Sequence, residues 1–124
     1  MDILVGTTNR GKVTEIGQAL SGLPVRLLTL AEHPPVAHLP PPDETGTTFL
    51  ENALQKLSYY GERSGMPTLA EDSGILVDAL VGELGIHTRR WGAGPDATDE
   101  DGLRFFLDRM KREPNKRARF VCAM

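Results

Sequence analysis

Hydrophobic and polar positions change rhythm several times along this chain, and each change marks an element. Ile3, Leu4 and Val5 form a short apolar run that ends at Gly6 and the turn-forming stretch Thr7-Thr8-Asn9-Arg10-Gly11. A strand followed by a turn is predicted. Val13, Ile16, Leu20 and Leu23 then recur at helical spacing, and Gly22-Leu23-Pro24 stops the helix. A second strand is predicted over 25–30. Strand, turn, helix and strand in that order are the unit from which buried parallel sheets are built.

Residues 31–47 include Pro34, Pro35, Pro40, Pro41 and Pro42, which deny the stretch both a helix and a central strand. A loop of that length in a small domain is typically either functional or disordered. Thr47 or Thr48 can cap the next helix, which carries Phe49, Ala53, Leu54 and Leu57 on one predicted face. Gly61 and Gly65-Met66-Pro67 close it. Thr68-Leu69-Ala70 leads into Glu71-Asp72-Ser73-Gly74, and the apolar pattern resumes over 75–80 as a strand. Residues 82–95 read as a glycine-punctuated loop holding His87, Arg89, Arg90 and Trp91. Thr98 with Asp101 resembles a helix-capping pair, ahead of a stripe of Leu103, Phe106, Leu107 and Met110 that ends before Pro114. Residues 117–124 alternate weakly as a last strand. No repeat or linker interrupts the pattern, so one α/β domain over 1–124 is expected, with a mixed central sheet flanked by helices.

Charge narrows the partners. Fourteen Lys and Arg against 17 Asp and Glu leave a net charge of −3. Nucleic acid and anionic membrane surfaces call for a basic excess, so neither is expected as a partner. A small phosphorylated ligand stays open, because a few local cations and a metal can hold it. The lone cysteine, Cys122, excludes an internal disulfide framework and points to a reducing compartment. It lies in an apolar strand pattern and is expected to be buried. No apolar run reaches the roughly 18–20 residues of a membrane span. Asp2 stands where a secretory signal would carry positive charge. A soluble cytoplasmic protein is the expectation.

Two segments could carry chemistry. Thr7-Thr8-Asn9-Arg10-Gly11-Lys12 lies where a strand feeds a helix, so helix amides and a lysine could face an anion. It lacks the glycine spacing of a Walker A loop, and a plain strand-to-helix turn explains it as well. Glu71-Asp72-Ser73-Gly74 places two adjacent acids at the end of an apolar strand, where desolvation is costly unless a positive charge is near. A hard divalent cation is one solution, with Glu44 and Glu51 able to reach the same place; a solvated turn is the other. Lys56 reads alone as a solvated helix lysine. Arg89 and Arg90 beside Trp91 could clamp phosphate or simply occupy a surface loop. His33, His38 and His87 have no metal-type spacing.

Taken in order, these segments resemble the Ham1/inosine triphosphate pyrophosphatase family. The matching blocks are Thr7-Thr8-Asn9-Arg10-Gly11-Lys12 with Glu15; Glu44-Thr45-Gly46 with Thr48-Phe49-Leu50-Glu51-Asn52-Ala53 and Lys56; Ala70-Glu71-Asp72-Ser73-Gly74-Ile75; Gly85-Ile86 with Arg90; and Ala118-Arg119-Phe120-Val121-Cys122. The resemblance implies a Maf/Ham1-like fold and hydrolysis of non-canonical purine nucleoside triphosphates such as ITP, dITP and XTP to monophosphate and pyrophosphate. It implies Mg²⁺ as cofactor and a homodimer. Thr7, Thr8, Asn9, Arg10, Gly11 and Lys12 would bind the triphosphate together with Lys56, while Ser73 and Arg90 would also contact substrate. Glu44 and Asp72 would hold the metal with Glu71 in support, and Asp72 would accept the proton of the attacking water.

Family members continue past the Phe-Val-Cys strand into segments that read the base, so this chain is expected to correspond to an N-terminal portion lacking those C-terminal elements. Three alternatives remain open from sequence: a nucleotide-binding fragment without catalysis, a self-associating fragment with an open sheet edge, and a Maf-type pyrophosphatase acting on other nucleotides.

Overall fold

The computed structural model describes residues 1–92, 94 and 96–124, with the backbone alone for 88–90. The chain forms two compact units, Met1–Asp72 with Ala123–Met124, and Ser73–Cys122.

In the first unit, strand β1 (Asp2–Val5) is followed by helix α1 (Arg10–Ala19) and strand β2 (Arg26–Thr29). Helix α2 (Phe49–Ser64) and strand β3 (Thr68–Leu69) complete it. The three strands form one parallel sheet in the order β2-β1-β3. Ile3 stands opposite Leu27 and Leu4 opposite Leu28 on one side, while Leu4 faces Thr68 and Val5 faces Leu69 on the other. The central strand is covered on both faces, and Leu4 and Val5 are fully buried accordingly. Leu4, Leu28, Leu30, Val36 and Tyr60 make the core, with Leu39, Tyr59 and Met66 packed against it. Val36 belongs to the proline-rich stretch, so this loop is anchored in the core.

Caps explain where the helices start and stop. Asn9 caps α1, and the Thr48 hydroxyl caps α2 by accepting from the Glu51 N–H at 3.1 Å. Gly65 ends α2 in the left-handed conformation, at φ 65°. Two readings of the apolar stripes change. Helix α1 ends before Leu23, which is exposed, because Gly22 turns the chain away. On α2 the inner face is Asn52, Ala53, Tyr60 and Ser64, while Leu54 and Leu57 join Leu50 on the exposed side. Of the expected stripe Ala53 is buried, and the polar Asn52 and Ser64 share the inner face with it and with Tyr60.

The second unit contains strand β4 (Asp72–Val77, which begins at the last residue of the first unit), short 3-10 turns at Asp78–Leu80 and Gly85–Arg90, helix α3 (Asp99–Lys111) and strand β5 (Ala118–Ala123). Strands β4 and β5 form a two-stranded sheet. The α/β class stands, with the strands divided between two sheets among the described residues. Val77, Leu80, Leu84 and Met110 make this core, with Trp91 and Phe106 against it. The predicted capping pair is present: the Asp101 carboxylate accepts from the Thr98 N–H at 3.0 Å, and the Thr98 hydroxyl accepts from the Asp101 N–H at 3.2 Å. Cys122 is exposed, against expectation. Strand side chains alternate in direction, and the half-buried positions of β5 are Val121 and Ala123. No helix of the described residues is long and apolar enough to cross a membrane.

Candidate active site

The sheet order sets the place. From central β1 the chain crosses through α1 to β2 on one flank, then through α2 to β3 on the other. The carboxyl ends of β1 and β3 therefore lie at a switch point, where ligands bind in open parallel sheets. Gly6 N–H donates to the Leu69 carbonyl at 2.8 Å and ties the two ends together. The 7–12 turn leaves one end, and Glu71-Asp72 follows the other.

The turn is self-bonded. The Asn9 N–H donates to the Thr7 hydroxyl at 3.2 Å, and the Asn9 side-chain oxygen accepts from the Gly11 and Lys12 N–H groups at 2.9 and 3.4 Å. Two of the helix amides expected to face an anion are thus bonded to the Asn9 cap. Thr8, Arg10 and Gly11 are exposed, and Thr7, Asn9 and Lys12 are half-buried. The cation that this turn sends toward the acids is the side chain of Lys12.

Glu71 and Asp72 are 5% and 9% exposed. Buried carboxylates require partners, and each has a lysine. Lys12 Nζ lies 3.6 Å from Glu71 Oε2 and 3.5 Å from Glu15 Oε2. Lys56 Nζ lies 3.3 Å from Asp72 Oδ1 and 3.1 Å from Glu44 Oε1. Lys56 is therefore no solvated helix lysine: it bridges the proline-rich loop and the start of β4. The second Asp72 oxygen accepts from the Asn52 amide at 3.2 Å. Asn52 and Lys56 stand one turn apart on the same face of α2, which aims both at one carboxylate. Apart from the solvent-exposed Glu15 carboxylate, three acids (Glu44, Glu71 and Asp72) face two ammonium groups, and these five groups sum to one formal negative charge.

Helix α2 also straps the loop that carries Glu44. The Gly46 N–H donates to Asn52 Oδ1 at 2.8 Å, the Gln55 amide exchanges two bonds with Thr45, and the Tyr59 hydroxyl donates to the Pro40 carbonyl at 3.0 Å. Glu51 does not join the acids at Asp72, as its position had suggested. Its carboxylate accepts from the Thr47 N–H and hydroxyl at 2.6 and 2.9 Å, bonds that hold its pKa below the ordinary glutamate value.

The sequence matches the Ham1 family over residues 3–124. This chain belongs to the Ham1 family. The Ham1 chain is 40% identical over 124 residues to a dITP/XTP pyrophosphatase from an Exiguobacterium species, covering all of this chain and 61% of the relative. It is 41% identical over 126 residues to the dITP/XTP pyrophosphatase of Thermus thermophilus, covering 58% of that protein. Its fold matches the solved structure of a HAM1 protein from Coxiella burnetii with a TM-score of 0.79 and 30% identity, over 98% of this chain and 60% of that one. The Ham1 chain thus spans about three fifths of the length of these relatives.

Among the remaining candidates, Ser73 is half-buried in β4. The side chains of Arg89 and Arg90 lie outside the described residues. Among the described residues no three His, Cys, Asp or Glu side chains gather as a metal site, and Glu71 is engaged with Lys12. Glu44 and Asp72 nevertheless bind a single ammonium, so two hard oxygen donors already face one positive charge. That suits Mg²⁺, which commonly takes one or two carboxylates and completes its shell with water and phosphate. Glu44 and Asp72 are the oxygen donors that would hold such an ion. Sequence reading assigned no role to Asn52 or Gln55. Their signal was present: two amides three residues apart, beside a lysine, on a helix whose inner face should be apolar.

Proposed function

We propose that this Ham1-family chain carries the phosphate-handling part of a nucleoside triphosphate pyrophosphohydrolase acting on ITP, dITP and XTP. The observation that carries the reading is the set of two lysines and three acids at the carboxyl ends of β1 and β3. The names of the relatives support the substrate class. Lys12 and Lys56 bring positive charge to the polyphosphate, each exchanging a carboxylate partner for a phosphate oxygen. The 7–12 turn, Ser73 and Arg90 are the further proposed substrate contacts. Asp72, held through one oxygen by Lys56 and through the other by Asn52, accepts the proton of the attacking water. Water oxygen bonds to the α-phosphorus, the bond to the bridging oxygen breaks, and that oxygen leaves on pyrophosphate. Mg²⁺, held by Glu44 and Asp72, would add positive charge to the phosphates when bound. A homodimer and a cytoplasmic setting belong to the same proposal.

Product analysis with ITP, XTP, dITP and ATP in the presence of Mg²⁺ tests the reading. Pyrophosphate is the expected product, and Asp72→Asn should lower its release by about 10²–10⁴-fold. Orthophosphate as first product, or wild-type turnover by Asp72→Asn, would overturn it.

A further inference from the structure

Asn52 is 2% exposed, in a position on α2 where an apolar side chain would cost less to bury. Both ends of its amide are engaged. Oδ1 accepts from the Gly46 N–H at 2.8 Å, and Nδ2 donates to Asp72 Oδ2 at 3.2 Å. These partners define the orientation, since a backbone N–H requires the oxygen and a carboxylate requires the NH₂. Gly46 is seated so tightly that a Cβ there would lie 2.5 Å from Asn52 Oδ1 and 2.9 Å from the Asn52 nitrogen. Only glycine lets the backbone come this close. Glu44 stands two residues before Gly46, and it shares Lys56 with Asp72. One buried amide therefore ties the loop bearing one carboxylate to the strand bearing the other.

We infer that Asn52 is a positioning residue that sets Glu44 and Asp72 in a fixed mutual placement before any ligand arrives. Its effect on ligand binding rests on the reading of the site given above; the tie between loop and strand rests on the geometry alone. The role is specific to an amide. Aspartate at this position keeps the acceptor for Gly46 but turns a second carboxylate toward Asp72. Alanine loses both bonds.

Two measurements on the chain decide the matter: amide hydrogen exchange at Gly46, and calorimetric titration with inorganic tripolyphosphate in excess Mg²⁺. Asn52→Ala should speed Gly46 exchange at least about tenfold. Asn52→Asp should keep Gly46 protected while weakening tripolyphosphate binding at least about tenfold, a split that simple loss of packing would not produce. The exchanged pair Asn52→Asp with Asp72→Asn restores a complementary amide and carboxylate. It should recover the melting temperature lost in Asn52→Asp and keep Gly46 protected, without recovering binding. Unchanged Gly46 exchange in Asn52→Ala overturns the inference. So does wild-type binding by Asn52→Asp when Asp72→Asn abolishes it. If Asp72→Asn binds like wild type, or the wild-type chain does not bind, the reading of the site is what fails, and Gly46 exchange with the melting temperature decides Asn52.

Discussion

Replacing Lys56 by methionine removes the ammonium that holds Glu44 and Asp72 together while keeping most of the apolar stem. At 3.1 and 3.3 Å, each attraction is about 5 kcal/mol at an effective dielectric of about 20. Hydration recovered by the freed groups offsets most of this. Breaking a buried pair typically costs about 3–5 kcal/mol. The Glu44 side chain is 27% exposed, which argues for the lower end or below, about 2–3 kcal/mol. For a domain of this size that is a fall in melting temperature of about 8–12 °C. The two carboxylates then face each other unneutralised, so a divalent cation should restore part of the loss. Mg²⁺ at ten times its dissociation constant contributes about 1.4 kcal/mol, or about 5 °C. The assay is thermal melting of wild type and Lys56→Met with MgCl₂ against NaCl at equal ionic strength. The variant should show the larger Mg²⁺-specific shift. A variant as stable as wild type, or a rescue that NaCl reproduces, would refute the convergence of Glu44 and Asp72 on one cation position.

Tyr60 is 1% exposed, and its hydroxyl has no hydrogen-bond partner among the described residues. Tyr60→Phe should therefore stabilise the fold by about 1–2 kcal/mol in a denaturant titration at neutral pH; a loss would mean that the hydroxyl is bonded in solution. Burial also raises the Tyr60 pKa above 10.0, so the unfolded chain gives up this proton first. Stability should fall as pH rises above about 10 in wild type, and less steeply in Tyr60→Phe. At the acid end, Glu32, Glu51 and Asp101 are each lowered by the N–H and hydroxyl of a nearby threonine. Their contribution is present above the ordinary carboxylate values and is lost as pH falls through the lower folded-state values. Denaturant midpoints between about pH 5 and 2 should show a flatter acid limb when all three are changed to amides. Thr98→Ala should cost about 1 kcal/mol through the cap of α3, checked by the same titration.

The elements were legible because their signals are local. Turn formers after Val5, the glycine after Ser64, and threonines three residues before Glu51 and Asp101 act through bonds to near neighbours in the chain. The stripe of α2 was legible only in part. Leu50, Leu54 and Leu57 have helical spacing, but so do Asn52 and Lys56, and periodicity alone does not choose which set turns inward. Cys122 was misread because an apolar strand pattern says nothing of whether a layer covers it. The candidate residues Lys12, Glu44, Lys56, Glu71 and Asp72 stood out by type and by resemblance, without any indication of which acid pairs with which lysine.

By itself the sequence determined most of the order of strands and helices, the threonine caps, and the inventory of acids, lysines and amides, but not the division of 68–77 into two strands of different sheets. These follow from backbone preferences and side-chain bonds over a few residues. Only the tertiary structure decided that Lys56 joins Glu44 to Asp72, that Lys12 takes Glu71, and that Asn52 lies buried between Gly46 and Asp72. Those pairings link residues from 6 to some 60 positions apart. They depend on two parallel strands ending side by side, a long-range arrangement that local periodicity does not encode.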